Sequence, residues 1–307
     1  MATQSAREAG LSKRGNRNFK EGAIGTVLFI CALVSVLTTF AVIFTLTRET
    51  IGFFSDVSII EFFTNTQWTP LFRDKNFGIA PLVAGTMLVT VIALAVGLPL
   101  GLGAAIYLSE FASDTVRRRI MPILEILAGI PTVVLGYFAL LFVTPFLQSF
   151  IPGLNLFNAL SAGLVMGFMI LPTVSSLSVD AMQAVPTSLR EAGYGLGASK
   201  YELVTRVVVP AALSGIIASF ILAMARAIGE TMIVTLAAGQ RPTLTFDPTE
   251  TIATMTSFIV QAATGDQPPG SLAARSLYAV AATLFLITLA LNLFAQAVVT
   301  RFQEQYE

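Results

Sequence analysis

A chain of 307 residues that is 55% hydrophobic and 12% charged, with a mean hydropathy of +0.78, has too little polar surface to cover a water-soluble globule; soluble domains carry about 25% charged residues. The formal net charge of zero gives no pull toward a polyanion such as nucleic acid, and the absence of histidine removes the usual general base and commonest metal ligand. The only cysteine, Cys31, excludes an intrachain disulfide and a cysteine-based metal site.

Residues 1–21 are polar and basic, with Arg7, Lys13, Arg14, Arg17 and Lys20. The apolar run that follows, 22–47, exceeds the h-region of a secretory signal and predicts an uncleaved first membrane helix. Segment 48–78 carries "FF" twice and Trp68, aromatics suited to the membrane interface. A second span over 79–107 holds Gly97, Gly101 and Gly103 with Pro99 among them, a composition for close helix packing. A third span covers 122–148. Its Glu125 follows Pro122 and is expected in a first helical turn, where a carboxylate complements the helix dipole.

The fourth span, 157–179, ends beside Asp180, expected in solvent. The fifth covers 207–238 and the sixth 276–299, separated by a long connection that contains the turn signal "GDQPPG". Runs of this length each cross a bilayer as helices, which satisfy their own backbone. The fold class is therefore all-α integral membrane, with six transmembrane helices. Lysine and arginine divide unevenly: twelve lie in the tails and the 2–3 and 4–5 connections, five in the other connections, and Arg226 inside a span. The richer side is expected in the cytoplasm, with both termini there. No Gly-x-x-x-x-Gly-Lys-Ser/Thr loop occurs, so any ATP is bound by another chain.

The 4–5 connection, 186–210, has two helix-start patterns, Ser188-Leu-Arg-Glu191 and Ser199-Lys-Tyr-Glu202. Each fits a capping box, in which Ser accepts an amide proton from the third residue and Glu reaches back to the cap. Gly193, Gly195 and Gly197 lie between them, and Pro210 suits the first turn of the next span. Two short helices joined by a glycine break are either an ordinary amphipathic connector or a lever that a partner pushes.

Glu191-Ala192-Gly193, three residues, Gly197, nine residues, then Val207-x-Val209-Pro210 resembles the EAA loop of ABC importer permeases. Gly193 replaces the family's second Ala and is expected to loosen the turn. The resemblance implies a type I importer permease (MetI-like) fold with its core over 79–299 and tail over 300–307. It also implies an ATPase-coupling role for Glu191, Ala192, Gly193 and Gly197. The partners so implied are a second permease subunit, two ATPase subunits that hold ATP and Mg, and an extracytoplasmic binding protein. The location is a bacterial cytoplasmic (inner) membrane, and no cofactor is held in this chain.

"QWTPLFRDKNFGIAPLVAGTMLVT", "EILAGIPTVVLGYFALL" and "ARAIGETMIVTLAAG" are similar to phosphate importer permeases, to the PstC-type rather than the PstA-type subunit. The implied function is ATP-driven import of inorganic phosphate by alternating access; the alternatives are another oxyanion such as molybdate or phosphonate, or an ion-coupled secondary transporter. Arg226, Glu230 and Thr231, in "RAIGET", are the expected substrate-pathway residues. An ionisable pair four apart either satisfies itself on one helix face or lines the path. A guanidinium is a planar fork that matches phosphate oxygens. Glu230 is expected to hold Arg226 and moderate its attraction.

Overall fold

The computed structural model describes residues 2–303 apart from 73 and 269, with side chains for 24–297 and 299 apart from those two. Arg73, Arg301 and the basic side chains of the N-terminal tail lie outside that set. Every named element is helical, and the one extended pairing among the described residues is a bridge between Trp68 and Phe77.

Helix α1, Ala2–Phe54, runs past the expected end at 47. Its apolar part, Ile24–Phe54, is long enough to cross a bilayer, and its most apolar stretch has no buried residue. Its hydroxyls are satisfied locally, as in Thr38 and Thr45, whose Oγ1 atoms donate to the carbonyls of Val34 and Ala41. The last turns of α1 are fixed by Arg275, which reaches Asp56 at 3.5 Å, Glu49 at 3.8 Å and the Gly52 carbonyl at 3.3 Å.

The segment after α1 is folded. A short helix α2, Ile59–Thr64, and the Trp68–Phe77 bridge enclose an aromatic cluster. Phe53, Phe62, Trp68 and Phe77 are each at most 5% exposed and meet edge to face at 5.3–6.3 Å. Such pairs add about 0.5–1.5 kcal/mol each beyond burial. The cluster joins Phe258 and Met255 from much later in the chain.

Helix α3, Ala80–Ile106, ends in a π-helical turn, Tyr107–Phe111. Helix α7, Ala159–Gln183, packs on α3 more extensively than any other pair of elements. Two of the three glycines expected to permit this do so: a Cβ on Gly97 would sit 2.6 Å from Ile170, and one on Gly101 2.7 Å from Val174, whereas one on Gly103 would meet nothing within 4 Å. Ser175 Oγ donates to the Gly101 carbonyl at 3.0 Å, tying the two backbones where they are nearest.

The expected third span is not one straight helix. Helix α4, Asp114–Ala128, starts at the N-cap Ser113, and the chain then bends by 89° before α5, Thr132–Phe138. Helix α5 continues through a π turn, Ala139–Val143, into α6, Thr144–Gln148. Gly129-Ile130-Pro131 causes the break, since Pro131 lacks an N–H and drives Ile130 out of helical geometry. Pro122 is inside α4, so Glu125 occupies the last turn rather than the first. The dipole explanation for Glu125 is therefore overturned. Asp180 is exposed, as expected.

Past α7, the connection forms α8, Thr187–Gly195, and α9, Lys200–Leu203, then a π turn and α10, Val209–Ala211. Helix α11, Leu213–Ile228, follows a 67° bend at Ala212. The expected fifth span is thus bent at its start and broken again at Gly229–Thr231, before a π turn at Val234–Ala238. Helix α12, Met255–Thr264, and the long α13, Leu272–Gln303, complete the chain. Among the described residues four helices are long and apolar enough to cross a membrane, and counting each bent pair as one span gives six.

Candidate functional site

The "RAIGET" stretch lies at a discontinuity. Arg226 is in the last turn of α11, Gly229 caps that helix, and Glu230 and Thr231 are outside helix. The two charges therefore do not stack on one helix face. Among the described residues no ion pair joins them. Arg226 is exposed and donates to Thr173 Oγ1 on α7 at 3.2 Å.

Glu230 is 9% exposed and turns the other way. Its Oε1 accepts from the backbone N–H groups of Met232 at 3.0 Å and Ile233 at 3.2 Å. A carboxylate in that position satisfies amides that have no partner at a helix start. Its carbonyl accepts Thr256 Oγ1 at 2.7 Å, and Thr86 Oγ1 on α3 receives the Met255 amide at 3.0 Å. The break is thus fastened to the start of α12 and through it to α3. Thr231 Oγ1 donates to the Gly229 carbonyl at 3.2 Å, using a group that the helix end leaves free. The expectation that Glu230 holds Arg226 is corrected: Glu230 holds the backbone, and Arg226 keeps its charge for other use.

The other broken element meets this one. A Cβ on Gly136 of α5 would lie 3.1 Å from the Met232 carbonyl and 2.9 Å from Leu236. The half-helices after both breaks are therefore in direct contact. Discontinuous helices expose backbone ends in a membrane and are tolerated only where they line a cavity or are buried in protein. The cavities of about 710 and 400 Å³ between spans have apolar walls, and Arg226, Glu230 and Thr231 line neither.

At the opposite end of α3, the α8–α9 corner presents the second set of residues. Glu191 and Ala192 are exposed on α8. Ser199 and Glu202 form the expected capping box, with the Ser199 amide donating to Glu202 Oε2 at 3.0 Å. Ser188 and Glu191 do not. Pro186 is the N-cap of α8, so Ser188 falls inside the helix. Gly197 has φ +84°, the left-handed geometry that ends α8.

Gly193 is buried, and a Cβ there would collide with Leu203 Cδ1. The glycine therefore tightens the corner instead of loosening it. Gly193→Val should destabilise the α8–α9 contact by about 1–3 kcal/mol through overpacking. The measurement is limited proteolysis of the 184–210 connection in the folded membrane protein. Wild-type resistance in the variant would remove the packing explanation.

Two residues that sequence reasoning missed hold this corner in place. Arg190 Nη1 meets Glu110 Oε2 at 2.6 Å, and Arg190 Nη2 donates to the Met182 carbonyl at 2.8 Å. Glu110 sits in the π turn that ends α3, its side chain 6% exposed. Ser109 Oγ donates to its other oxygen at 2.9 Å, and Arg117 Nε donates to the Leu108 carbonyl at 2.8 Å. The π turn at "YLSEF" was the available sign, since such turns mark functional positions, but an apolar stretch does not announce it.

Bent spans around a central α3–α7 pair, with a capped helical corner at one end, are the architecture of an ABC importer permease of the MetI-like fold. A bacterial importer of the acidic polysaccharide alginate shares it at TM-score 0.64 and 16% identity, over 93% of this chain and 99% of that one. Residues 97–305 match the family described as binding-protein-dependent transport system inner membrane component, and the chain belongs to that family. It is a multi-pass membrane subunit of a transporter. A probable ABC transporter permease protein, YqgH of Bacillus subtilis (strain 168), is 34% identical over 257 residues, 83% of each chain. The phosphate transport system permease protein PstC of Mesorhizobium japonicum is 34% identical over 251 residues, covering 75% of this chain and 76% of that one.

Proposed function

We propose that the chain is the PstC-type permease subunit of an ATP-driven importer of inorganic phosphate. The observation that carries this reading is Arg226, an exposed guanidinium at a broken helix, held by Thr173 and not neutralised by Glu230. An intramembrane cation costs about 2.5–3.5 kcal/mol at a bilayer centre and is retained where it serves a path. Its planar donors suit phosphate oxygens. The resemblance to PstC proteins supports phosphate over other oxyanions.

Arg226 lies on the outside of the single chain, so a second permease subunit, of PstA type, completes the path across from it. Both termini and the α8–α9 corner face the cytoplasm. There Glu191, Ala192 and Gly197 lie on the surface on which one of two ATPase subunits pushes, with the buried Gly193 closing the corner beneath it, and those subunits bind ATP and Mg. The exposed Leu189, Tyr194, Leu196 and Tyr201 give that surface its apolar contact area. Movement of the corner passes along α9 and α10 into α11, which carries Arg226 in its last turn. An extracytoplasmic phosphate-binding protein delivers substrate at the opposite end.

The test is reconstitution. The chain is expected to co-purify with a second permease and an ATPase. Proteoliposomes of that complex should take up labelled phosphate only with ATP and the binding protein, and regardless of ion gradients. Uptake of molybdate or a phosphonate in place of phosphate would reassign the substrate. Uptake that collapses with an ion gradient would overturn the ATP-driven reading.

A further inference from the structure

We infer that the pocket between Trp68 and Arg241 is a receptor for an acidic, apolar-flanked loop of the extracytoplasmic binding protein. The inference rests on the proposed orientation, which turns this end of the molecule outward. The pocket has a volume of about 240 Å³ and is built from both long connections, with Trp68 and Phe72 from one and Gln240, Arg241, Phe258 and Gln261 from the other. A cavity shared by two connections distant in sequence has a fixed shape, because the aromatic cluster beneath it packs both together.

Its polar groups are chiefly donors. Trp68 is 1% exposed, and its indole N–H is buried without a hydrogen-bond partner. A buried orphan donor costs about 1–3 kcal/mol, a penalty relieved when the Trp68 ring shifts to meet an acceptor seated in the pocket. Arg241 is exposed, and among the described residues no carboxylate pairs with it. Gln240 and Gln261 add amides that can donate or accept. Leu71, Pro242 and Phe258 make the remaining walls apolar.

One cation among the described lining residues, beside apolar walls, suits a carboxylate carried on an apolar segment. Free inorganic phosphate has no apolar surface to set against Leu71, Pro242 and Phe258 and suits the pocket less. The family is defined by dependence on a binding protein, so a protein with such a loop is the partner already required. The position adds a mechanical reason. Phe258 and Gln261 are on α12, and Thr256, in the first turn of that helix, holds the Glu230 carbonyl at the break beside Arg226. A loop seated in the pocket therefore presses on the helix that fastens the broken span.

The experiment titrates the phosphate-loaded binding protein against the complete complex in proteoliposomes and, separately, against the detergent-solubilised complex by direct binding. Arg241→Glu should raise the half-saturating binding-protein concentration about tenfold or more, as for a reversed interfacial charge. Maximal uptake and basal ATPase should stay at wild-type levels. Trp68→Phe keeps an aromatic ring in the cluster but removes the N–H with the five-membered half of the indole, and should weaken binding about threefold or more. Unchanged titrations in both variants overturn the inference. So does binding of inorganic phosphate alone that is lost in Arg241→Glu, which would make the pocket an anion site. The direct-binding arm reads docking whatever oxyanion is carried, so failure of the substrate assignment and failure of the receptor are told apart.

Discussion

Arg226→Gln is expected to lower phosphate uptake about 100-fold or more while the complex still assembles. Charge-assisted hydrogen bonds contribute about 1.5–3 kcal/mol each, and a guanidinium makes two to a phosphate in a bidentate pair. Glutamine keeps a donor for Thr173 Oγ1 and loses both the charge and the fork. Arg226→Lys retains the charge alone and should fall between the two. Co-purification of the second permease and the ATPase checks assembly, and labelled phosphate uptake checks the path. Wild-type uptake in Arg226→Gln would place the path elsewhere.

Glu230 supplies the contrast within the same measurement. Its Oε1 caps Met232 and Ile233, and glutamine offers the same acceptor. Glu230→Gln should therefore leave uptake within about threefold, whereas Glu230→Ala removes the cap at a cost of about 0.5–2 kcal/mol. If Glu230→Gln abolished uptake as completely as Arg226→Gln, the negative charge itself would be required, and the capping role would not account for the residue.

The two acids and one arginine illustrate how far residue order reaches. Run length revealed the spans, because a helix is the only single-segment solution in lipid. It did not reveal where they bend. Gly129-Ile130-Pro131 carries a visible breaker, yet the flanking apolar residues read as one continuous crossing. Gly229 has no proline beside it and is indistinguishable in sequence from a glycine that merely packs. Once α11 stops at Ile228, the four-residue spacing of Arg226 and Glu230 loses its helical meaning.

Equivalent patterns also part company for reasons outside the pattern. Ser188 and Ser199 both precede a glutamate by three, but Pro186 starts α8 early and leaves only Ser199 as a cap. Among the aromatics, Phe62 is buried and its neighbour Phe63 is 56% exposed. Composition sees two phenylalanines; only the packing of α2 against Phe53 and Trp68 shows which one enters the cluster. Similarly, a methyl at Gly193 would need Leu203 Cδ1 to move, a contact that residue order does not show. The coupling corner was legible as two helices and a break, and its tight packing was not.

Breaking the Glu110–Arg190 pair is expected to separate ATP hydrolysis from transport. The partners are 80 residues apart in sequence, which is why spacing gave no hint of them. They fasten α8, the proposed ATPase contact, to the end of α3, the helix packed along α7. Removing one member of a buried ion pair costs about 3–5 kcal/mol, and the 22% exposure of Arg190 places this pair toward the lower end. Glu110→Ala and Arg190→Ala should each insert and retain the ATPase, while uptake per ATP falls about tenfold or more as α8 moves without carrying α3. Charge reversal discriminates a latch from simple damage. Glu110→Arg with Arg190→Glu restores the attraction across the same 2.6 Å contact, so the double variant should recover coupling that neither single reversal shows, an interaction of about 1 kcal/mol or more in a double-mutant cycle. Strictly additive losses in that cycle would mean that Glu110 and Arg190 act separately, and the force on α8 would then reach the broken span through α9 to α11 alone.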